Sequence, residues 1–170
     1  MAFGSGMIYL LAVQESPRRE LEFSELPADV LIMEGVAIRL HEDAGLRFEL
    51  FAREAVFNVR TGTTAMKSVR FKVYGDSPQG GWSVQMEGRA GKALMDKRKG
   101  IVELVDEVYI VEREGAEIRS GRIVYDQERE RVVSPGEVWV KSRGATHRGS
   151  SLVYEIAQQK ITLTAPRIFQ

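Results

Sequence analysis

The spacing of the apolar side chains is the feature that most constrains this chain, because from about residue 30 onward they recur at every second position. Successive side chains of an extended strand point to opposite faces, so a period of two predicts strands with one buried and one solvated face. The runs that show this spacing are Val36, Ile38 and Leu40; Leu46, Phe48 and Leu50; Val69, Phe71 and Val73; Trp82, Val84 and Met86; Val108 and Ile110; Ile123 and Tyr125; Val138 and Val140; Leu152, Tyr154 and Ile156; and Ile161 and Leu163.

Turn-forming residues separate these runs. Glycine or polar clusters occur at residues 43–45, 75–78 and 134–136, and single glycines mark other breaks. Short connections of this kind join antiparallel neighbours. Residues 50–59 also fit a helical spacing, although Ala55 and its next-but-one neighbours alternate as a strand would. The sequence therefore predicts an all-β, antiparallel domain with short meandering connections.

A weak internal repeat refines this prediction. Residues 33–57, 104–126 and 134–155 each open with an alternating run, pass a glycine turn and close with a second alternating run. A single hairpin cannot bury its apolar face alone, so neighbouring hairpins must stack to make a shared interior. Stacked hairpins of this type predict a sandwich or an elongated, slot-like roll.

The first 28 residues form a separate segment, which we interpret as an N-terminal leader preceding a domain over residues 29–170. Its apolar run, residues 7–13, is far shorter than the roughly 20 residues that span a bilayer, and it lacks the basic region of a secretory signal. Two interpretations remain open: a remnant of a membrane anchor or export signal, and a disordered or artificial leader. We favour the remnant.

Composition excludes several classes of function. Among 170 residues, 24 lysines and arginines balance 24 aspartates and glutamates, so the excess positive charge typical of nucleic-acid binders is absent. The chain has no cysteine, which excludes disulfides, thiolate catalysis and cysteine-bound metals. Its two histidines, His41 and His147, are too few for most histidine metal sites or catalytic triads.

No motif predicts an active site. Residues 88–93 resemble a phosphate loop only faintly, since the first glycine and the final Ser or Thr of that motif are missing. The carboxylates at residues 42–43 and 126–130 fall in predicted hairpin tips, where solvation leaves their pKa values near normal. Ser150 lacks the surroundings of a nucleophile elbow. We therefore predict a non-enzyme with no catalytic residues, no cofactor and no metal.

The aromatic residues point instead to apolar ligands. Most of them fall in phase with the aliphatic residues, and a packed core explains about half of them. An open roll of stacked hairpins, however, leaves part of its interior accessible along a seam. Such a seam suits lipid chains, because each buried methylene contributes about 0.8 kcal/mol. The residues concerned are Phe48, Phe57, Phe71, Trp82, Tyr125 and Tyr154.

Five segments carry a resemblance to a known family. Residues 43–52 (DAGLRFELFA), 82–87 (WSVQME), 101–110 (IVELVDEVYI), 118–126 (IRSGRIVYD) and 146–152 (THRGSSL) resemble the degenerate motifs of the LptC family, within the wider OstA-like group. The resemblance extends over about residues 29–168. The sequence departs from the pattern at Asp106, where the family has a glycine, and a bulge or tight approach at that position is therefore in question.

The resemblance implies an open, twisted antiparallel β-jellyroll in the periplasm, tethered to the inner membrane by an N-terminal helix. Its implied partners are lipopolysaccharide, an inner-membrane ATP-binding-cassette (ABC) transporter that delivers it, and a periplasmic bridge protein of the same fold. A soluble OstA-like bridge and a β-sandwich that binds glycan or protein are the alternatives. Gly45 and Gly149 match family glycines and are expected to affect partner docking. The expected lipid-binding residues are Phe48, Leu50, Phe57, Phe71, Trp82, Val84, Val108, Ile110, Tyr125, Val138 and Tyr154.

Overall fold

A computed structural model describes residues 8–12, 30–42, 45–77 and 79–169, and the described residues form one antiparallel sheet of 13 strands. The all-β prediction is confirmed, and residues 50–59 continue a strand instead of forming a helix. The strands are β1 Ile8–Ala12, β2 Val30–Glu42, β3 Gly45–Asn58, β4 Thr63–Asp76, β5 Trp82–Asp96, β6 Ile101–Glu112, β7 Glu117–Asp126, β8 Arg131–Ser134, β9 Val138–Ser142, β10 Ala145–Gly149, β11 Ser151–Glu155, β12 Lys160–Thr164 and β13 Arg167–Phe169.

The sheet follows chain order from β1 to β7 and then divides into two branches. The first half of β7 pairs with β9, which leads through β10 to β13. The second half of β7 pairs with β8, which leads through β11 to β12. We call the end of the sheet that holds the β2–β3, β4–β5 and β6–β7 turns the upper end, and the opposite end the lower end.

Strand β1 lies within the segment predicted as a leader, and Leu10 in it is registered with Ile38 of β2. The predicted boundary after residue 28 falls in residues 13–29, which lie outside the described residues. Over the described ranges, no helix is long and apolar enough to cross a bilayer.

A row of irregular positions crosses the middle of the sheet from β2 to β7, and we call it the bend line. The β-ladder pairing skips its members, and the set of alternate positions that is buried changes there. In β4, the even-numbered Met66 is buried below the bend line, whereas the odd-numbered Val69 and Phe71 are buried above it. Residues with a positive φ, in the left-handed region, interrupt the regular alternation of a strand. The members are Gly35, Arg53, Ser68, Gly91, Asp106, Glu107 and Gly121, of which Gly35, Ser68, Asp106 and Glu107 have positive φ.

Asp106 keeps a bulge at the position where the family has a glycine. The register of β6 on β7 shifts between Val105 and Val108, and Asp106 itself has a φ of 64°. Aspartate tolerates this conformation better than most residues. Its carboxylate lies 2.8 Å from the Lys92 amino group, and a Cβ on Gly91 would approach the Asp106 Cβ to 2.8 Å. The close approach of β5 to β6 is therefore present here, and it requires a small residue at position 91.

The inner face of the sheet curls on itself and buries one apolar core. The upper part of β3 meets the lower part of β7 there, and the Phe48 and Tyr125 rings stack with centroids 5.3 Å apart. The side chains with the least exposure include Tyr154, Phe48, Ile38, Leu50, Met86, Leu104, Ile110, Ile118, Ile123 and Leu152.

Candidate lipid-binding interior and docking edges

Most of the predicted lipid-binding residues lie together on the inner face. They come from β3, β4, β6, β7, β9 and β11, which the curled sheet brings around one apolar cluster. The alternation places them there because, within one side of the bend line, every second side chain of a strand points inward. The eight residues that the structure brings together are Phe48, Leu50, Phe71, Val108, Ile110, Tyr125, Val138 and Tyr154.

Three of the predicted residues lie outside this cluster. Phe57 is half-buried near the lower end of β3. Trp82 lies at the start of β5, where the Arg47 guanidinium is 3.7 Å from its ring centroid. A register shift between Val73 and Tyr74 places Val84 opposite Tyr74, and Gln85 becomes the buried residue in its place. The alternation in the sequence gave no sign of this shift.

Sequence reasoning did not single out other residues that line the interior. Ile38, Met86, Ile123 and Leu152 belong to the alternating runs and could have been selected on that signal. Met66, Leu104 and Ile118 are also nearly fully buried. Met66 is out of step with Val69, Phe71 and Val73 because the bend line at Ser68 lies between them, so no single alternating pattern contains all four.

The apolar interior contains a few polar groups. Gln85 donates hydrogen bonds through Nε2 to the Asp76 carbonyl at 3.1 Å and to Ser83 Oγ at 3.0 Å. The Tyr154 hydroxyl makes no hydrogen bond to the described residues. Burial, together with the nearby carboxylate of Glu112, raises the pKa of Tyr154 to about 12.

Three contacts join the upper parts of β3 and β5 to the lower end of the sheet, and we call them the closure contacts. They are the Phe48–Tyr125 stack, an ion pair of 3.3 Å between Arg47 Nη1 and Glu130 Oε1, and a hydrogen bond of 3.0 Å from Gln159 Nε2 to Gln85 Oε1. None of these contacts is a covalent link or a β-ladder bond.

The two predicted docking glycines occupy different places. Gly45 opens β3 at the upper end, where it is registered with Glu42. Gly149 ends β10, and a Cβ there would lie 3.0 Å from Leu163 Cδ2 and 3.2 Å from the carbonyl oxygens of Ser151 and Thr164. Because backbone oxygens cannot move easily, a side chain at position 149 would displace the end of β12.

The last strands of both branches are exposed edges within the described sheet. Strand β12 pairs on one side with β11, and β13 pairs on one side with β10. Every described side chain of β13 is exposed, and Ile168 keeps 64% of its accessible surface. Such edges carry backbone groups that can pair with another strand.

The described residues contain no group of three or more acidic or histidine side chains arranged to hold a metal ion. The geometry consists of an apolar interior, three closure contacts and exposed edge strands. This arrangement suits binding of an apolar molecule and pairing with other sheets.

Comparison with known proteins agrees with this geometry. The model of the family described as "Lipopolysaccharide-assembly, LptC-related" matches residues 1–166, and the chain belongs to that family. The crystal structure of LptH from Pseudomonas aeruginosa, the LptA-homologous periplasmic component of the lipopolysaccharide transport device, is similar with a TM-score of 0.51. It is 17% identical, and the match covers 72% of this chain and 92% of that one. No curated protein sequence matches significantly.

The family assignment settles the general class. Proteins of this LptC- and LptA-like group are periplasmic, work in lipopolysaccharide transport and act as scaffolds. The fold is the OstA-like β-jellyroll that the LptH comparison supports.

Proposed function

We propose that this chain is a non-enzymatic carrier and scaffold tethered to the inner membrane. It receives lipopolysaccharide from the inner-membrane ABC transporter and passes it to a periplasmic bridge protein of the same fold. The observation that carries this proposal is the apolar interior between two layers of one sheet, held shut by non-covalent closure contacts. Residues 29–170 would form the transport domain, and strand β1 of the preceding segment would add to its sheet.

The energetics of the closure contacts suit a carrier. An aromatic pair contributes about 0.5–1.5 kcal/mol beyond its buried area, and a neutral hydrogen bond about 0.5–1.5 kcal/mol. A partly exposed ion pair such as Arg47–Glu130 contributes about 0–1 kcal/mol. An acyl chain that enters the interior gains about 0.8 kcal/mol for each buried methylene. A few methylenes therefore offset the loss of the closure contacts, while the core contacts are replaced by contacts with the chain.

The edge strands supply the second half of the function. Docking by strand addition extends a sheet through backbone hydrogen bonds, and β12 and β13 offer such edges at the C-terminal side. A bridge protein paired there would continue the apolar interior into its own. Gly149 supports this edge by letting β10 and the end of β12 approach closely.

Photo-crosslinking tests the lipid-binding part. A photoreactive amino acid at Phe71, which lies in the buried cluster, should crosslink to lipopolysaccharide in cells. The same amino acid at Lys97, in the exposed lower turn, is the matched control and should give little product. Equal yields at both positions, or adducts only with protein at Phe71, would contradict lipid carriage and favour the glycan- or protein-binding alternative.

A soluble bridge is the second candidate, favoured by the structural similarity to LptH, which its description calls a periplasmic LptA homologue. Fractionation of the full-length gene product separates the two. Recovery with inner membranes supports the tethered carrier, and recovery in the soluble periplasmic fraction supports the bridge.

A further inference from the structure

The outer face of the sheet carries a row of arginine and aromatic side chains that the transport function leaves unused. Cross-strand register places Phe51 opposite Arg70, Arg70 opposite Arg89, and Arg89 opposite Tyr109. Tyr109 is in turn opposite Arg119, which is opposite Trp139. Residues in direct register lie side by side on one face, so these six side chains form a continuous line, which we call the arginine–aromatic row.

Two arginines of this row lack an acidic partner. The third, Arg119, has its Nη2 atom 3.9 Å from Glu117 Oε2. Within residues 30–42, 45–77 and 79–169, Arg70 and Arg89 form no ion pair. The Arg89 guanidinium instead lies 5.4 Å from the Tyr109 ring centroid. Like charges directly opposite each other in a sheet are unfavourable, so this pair lowers stability unless an anion joins it.

Arg70 and Arg89 belong to a depression of about 440 Å³ on the outer face. Phe51 and Tyr109 flank the two arginines along the row, and Lys72 adds a third cation. Glu87 is the one carboxylate among the lining residues, so positive charge exceeds negative charge there by two. A volume of this order matches one or two sugar units, at the lower end of the usual range for ligand sites of about 300–1,000 Å³.

We propose that this depression binds a phosphorylated saccharide, specifically the sugar portion of lipopolysaccharide. The planar guanidinium forks of Arg70 and Arg89 match the geometry of a phosphate group, which can accept paired hydrogen bonds from each. The flat rings of Phe51 and Tyr109 match the C–H faces of pyranose rings on either side of that phosphate. An isolated phosphate would use the arginines alone and make no contact with the flanking rings.

The proposal rests on the proposed function for the identity of the molecule. The depression borders the interior at Phe71, one of its lining residues, but its charged side chains are on the outer face. Arg70 and Phe71 are neighbours in β4 whose side chains point to opposite faces. The outer depression can therefore be tested with a ligand that has no acyl chains and cannot use the interior.

The experiment measures binding of a deacylated, phosphorylated core oligosaccharide to the full chain by isothermal titration calorimetry. The double variant Arg70→Gln/Arg89→Gln should bind the oligosaccharide at least tenfold more weakly than the parent chain. Raised salt should also weaken binding by the parent chain, because it screens the arginine charges. The matched control Lys97→Gln/Lys160→Gln removes the same charge from exposed positions elsewhere and should bind like the parent. Tyr109→Leu, which keeps apolar volume but removes the ring, should also weaken binding. Unfolding curves for each variant confirm that the fold is intact.

Several results would overturn the proposal. The proposal is wrong if the oligosaccharide does not bind the parent chain, or if the arginine variant binds it as tightly as the parent does. It is also wrong if the enzymatically dephosphorylated oligosaccharide binds as tightly as the phosphorylated one, or if the chain binds only vesicles of anionic phospholipid. If lipid crosslinking at Phe71 persists while the oligosaccharide fails to bind, the outer site is wrong and the carrier stands. If the oligosaccharide binds while Phe71 gives no lipid adduct, the carrier is wrong and the outer site stands as a saccharide site.

Discussion

Phe48 and Tyr125 stack at 5.3 Å although their strands, β3 and β7, are four positions apart in the sheet. Strands so far apart in one sheet meet only if the sheet curls back on itself. The pair therefore marks where the interior closes, and it belongs to both the core and the closure contacts.

Replacement of Phe48 tests this contact. Phe48→Ala removes a nearly fully buried ring and should lower the free energy of unfolding by about 3–5 kcal/mol. A double-mutant cycle with Tyr125→Leu should give a coupling of about 0.5–1.5 kcal/mol, since the stacked pair adds to simple burial. Denaturant unfolding measures both. The control Val59→Ala, in an exposed turn, should change stability by less than about 0.5 kcal/mol. A coupling near zero would show that the two rings do not stack in solution.

Gly88 is predicted to tolerate no side chain. A Cβ there would lie 2.4 Å from the Tyr109 carbonyl oxygen and 2.7 Å from Phe71 Cζ. Because the oxygen belongs to a paired strand, Gly88→Ala should destabilise the fold by about 3 kcal/mol. Gly121→Ala is the matched control, since its Cβ would meet nothing within 4 Å. Thermal unfolding of the two variants should therefore differ clearly, and similar melting temperatures would contradict the close packing at Gly88.

The raised pKa of Tyr154 predicts that the folded chain loses stability at alkaline pH. Its pKa is raised above the usual value of 10.0 to about 12, so the folded chain holds the phenol proton more tightly than the unfolded chain. The protonated phenol stabilises the folded chain fully below pH 10, and this stabilisation decreases between pH 10 and 12. At pH 11 the free energy of unfolding is lower by about 1.4 kcal/mol.

The variant Tyr154→Phe isolates this effect from the other groups that titrate in the same range. Relative to the parent, its free energy of unfolding should rise by about that amount between pH 8 and pH 11. Urea unfolding at both pH values measures the difference. A difference between variant and parent that does not change with pH would mean that the phenol is not buried.

Gly149→Arg should weaken recovery of the periplasmic bridge protein in co-purification. The new side chain would meet Leu163 and two backbone oxygens, and it would displace the end of the exposed strand β12. Gly136→Arg is the matched control, because a Cβ at Gly136 meets nothing within 4 Å. Circular dichroism should show that both variants remain folded. Unchanged recovery with Gly149→Arg would count against docking at this edge.

The alternation of apolar residues predicted the strands and much of the interior. Phe48, Leu50 and Phe71 were assigned correctly to one face because each lies in an unbroken stretch of period two. Whether they contact lipid remains a prediction. The local pattern is reliable here because the direction of a strand side chain depends only on its own position along the strand.

The bend line was beyond this kind of reasoning. Ile32, Val56 and Leu94 are apolar yet exposed, because the alternate positions that point inward on one side of the bend line point outward on the other side. Most of the left-handed positions are not glycines, so composition did not mark them. The closure contacts were equally hidden, since Gln85 and Gln159 are 74 residues apart and meet only after the whole sheet has curled.

The bend line has a mechanical consequence. The ladders skip at least one position in each of the six strands from β2 to β7, so we expect the sheet to bend most easily along this row. We therefore expect two panels joined at the bend line, with an angle between them that can change while the strand pairing within each panel is kept.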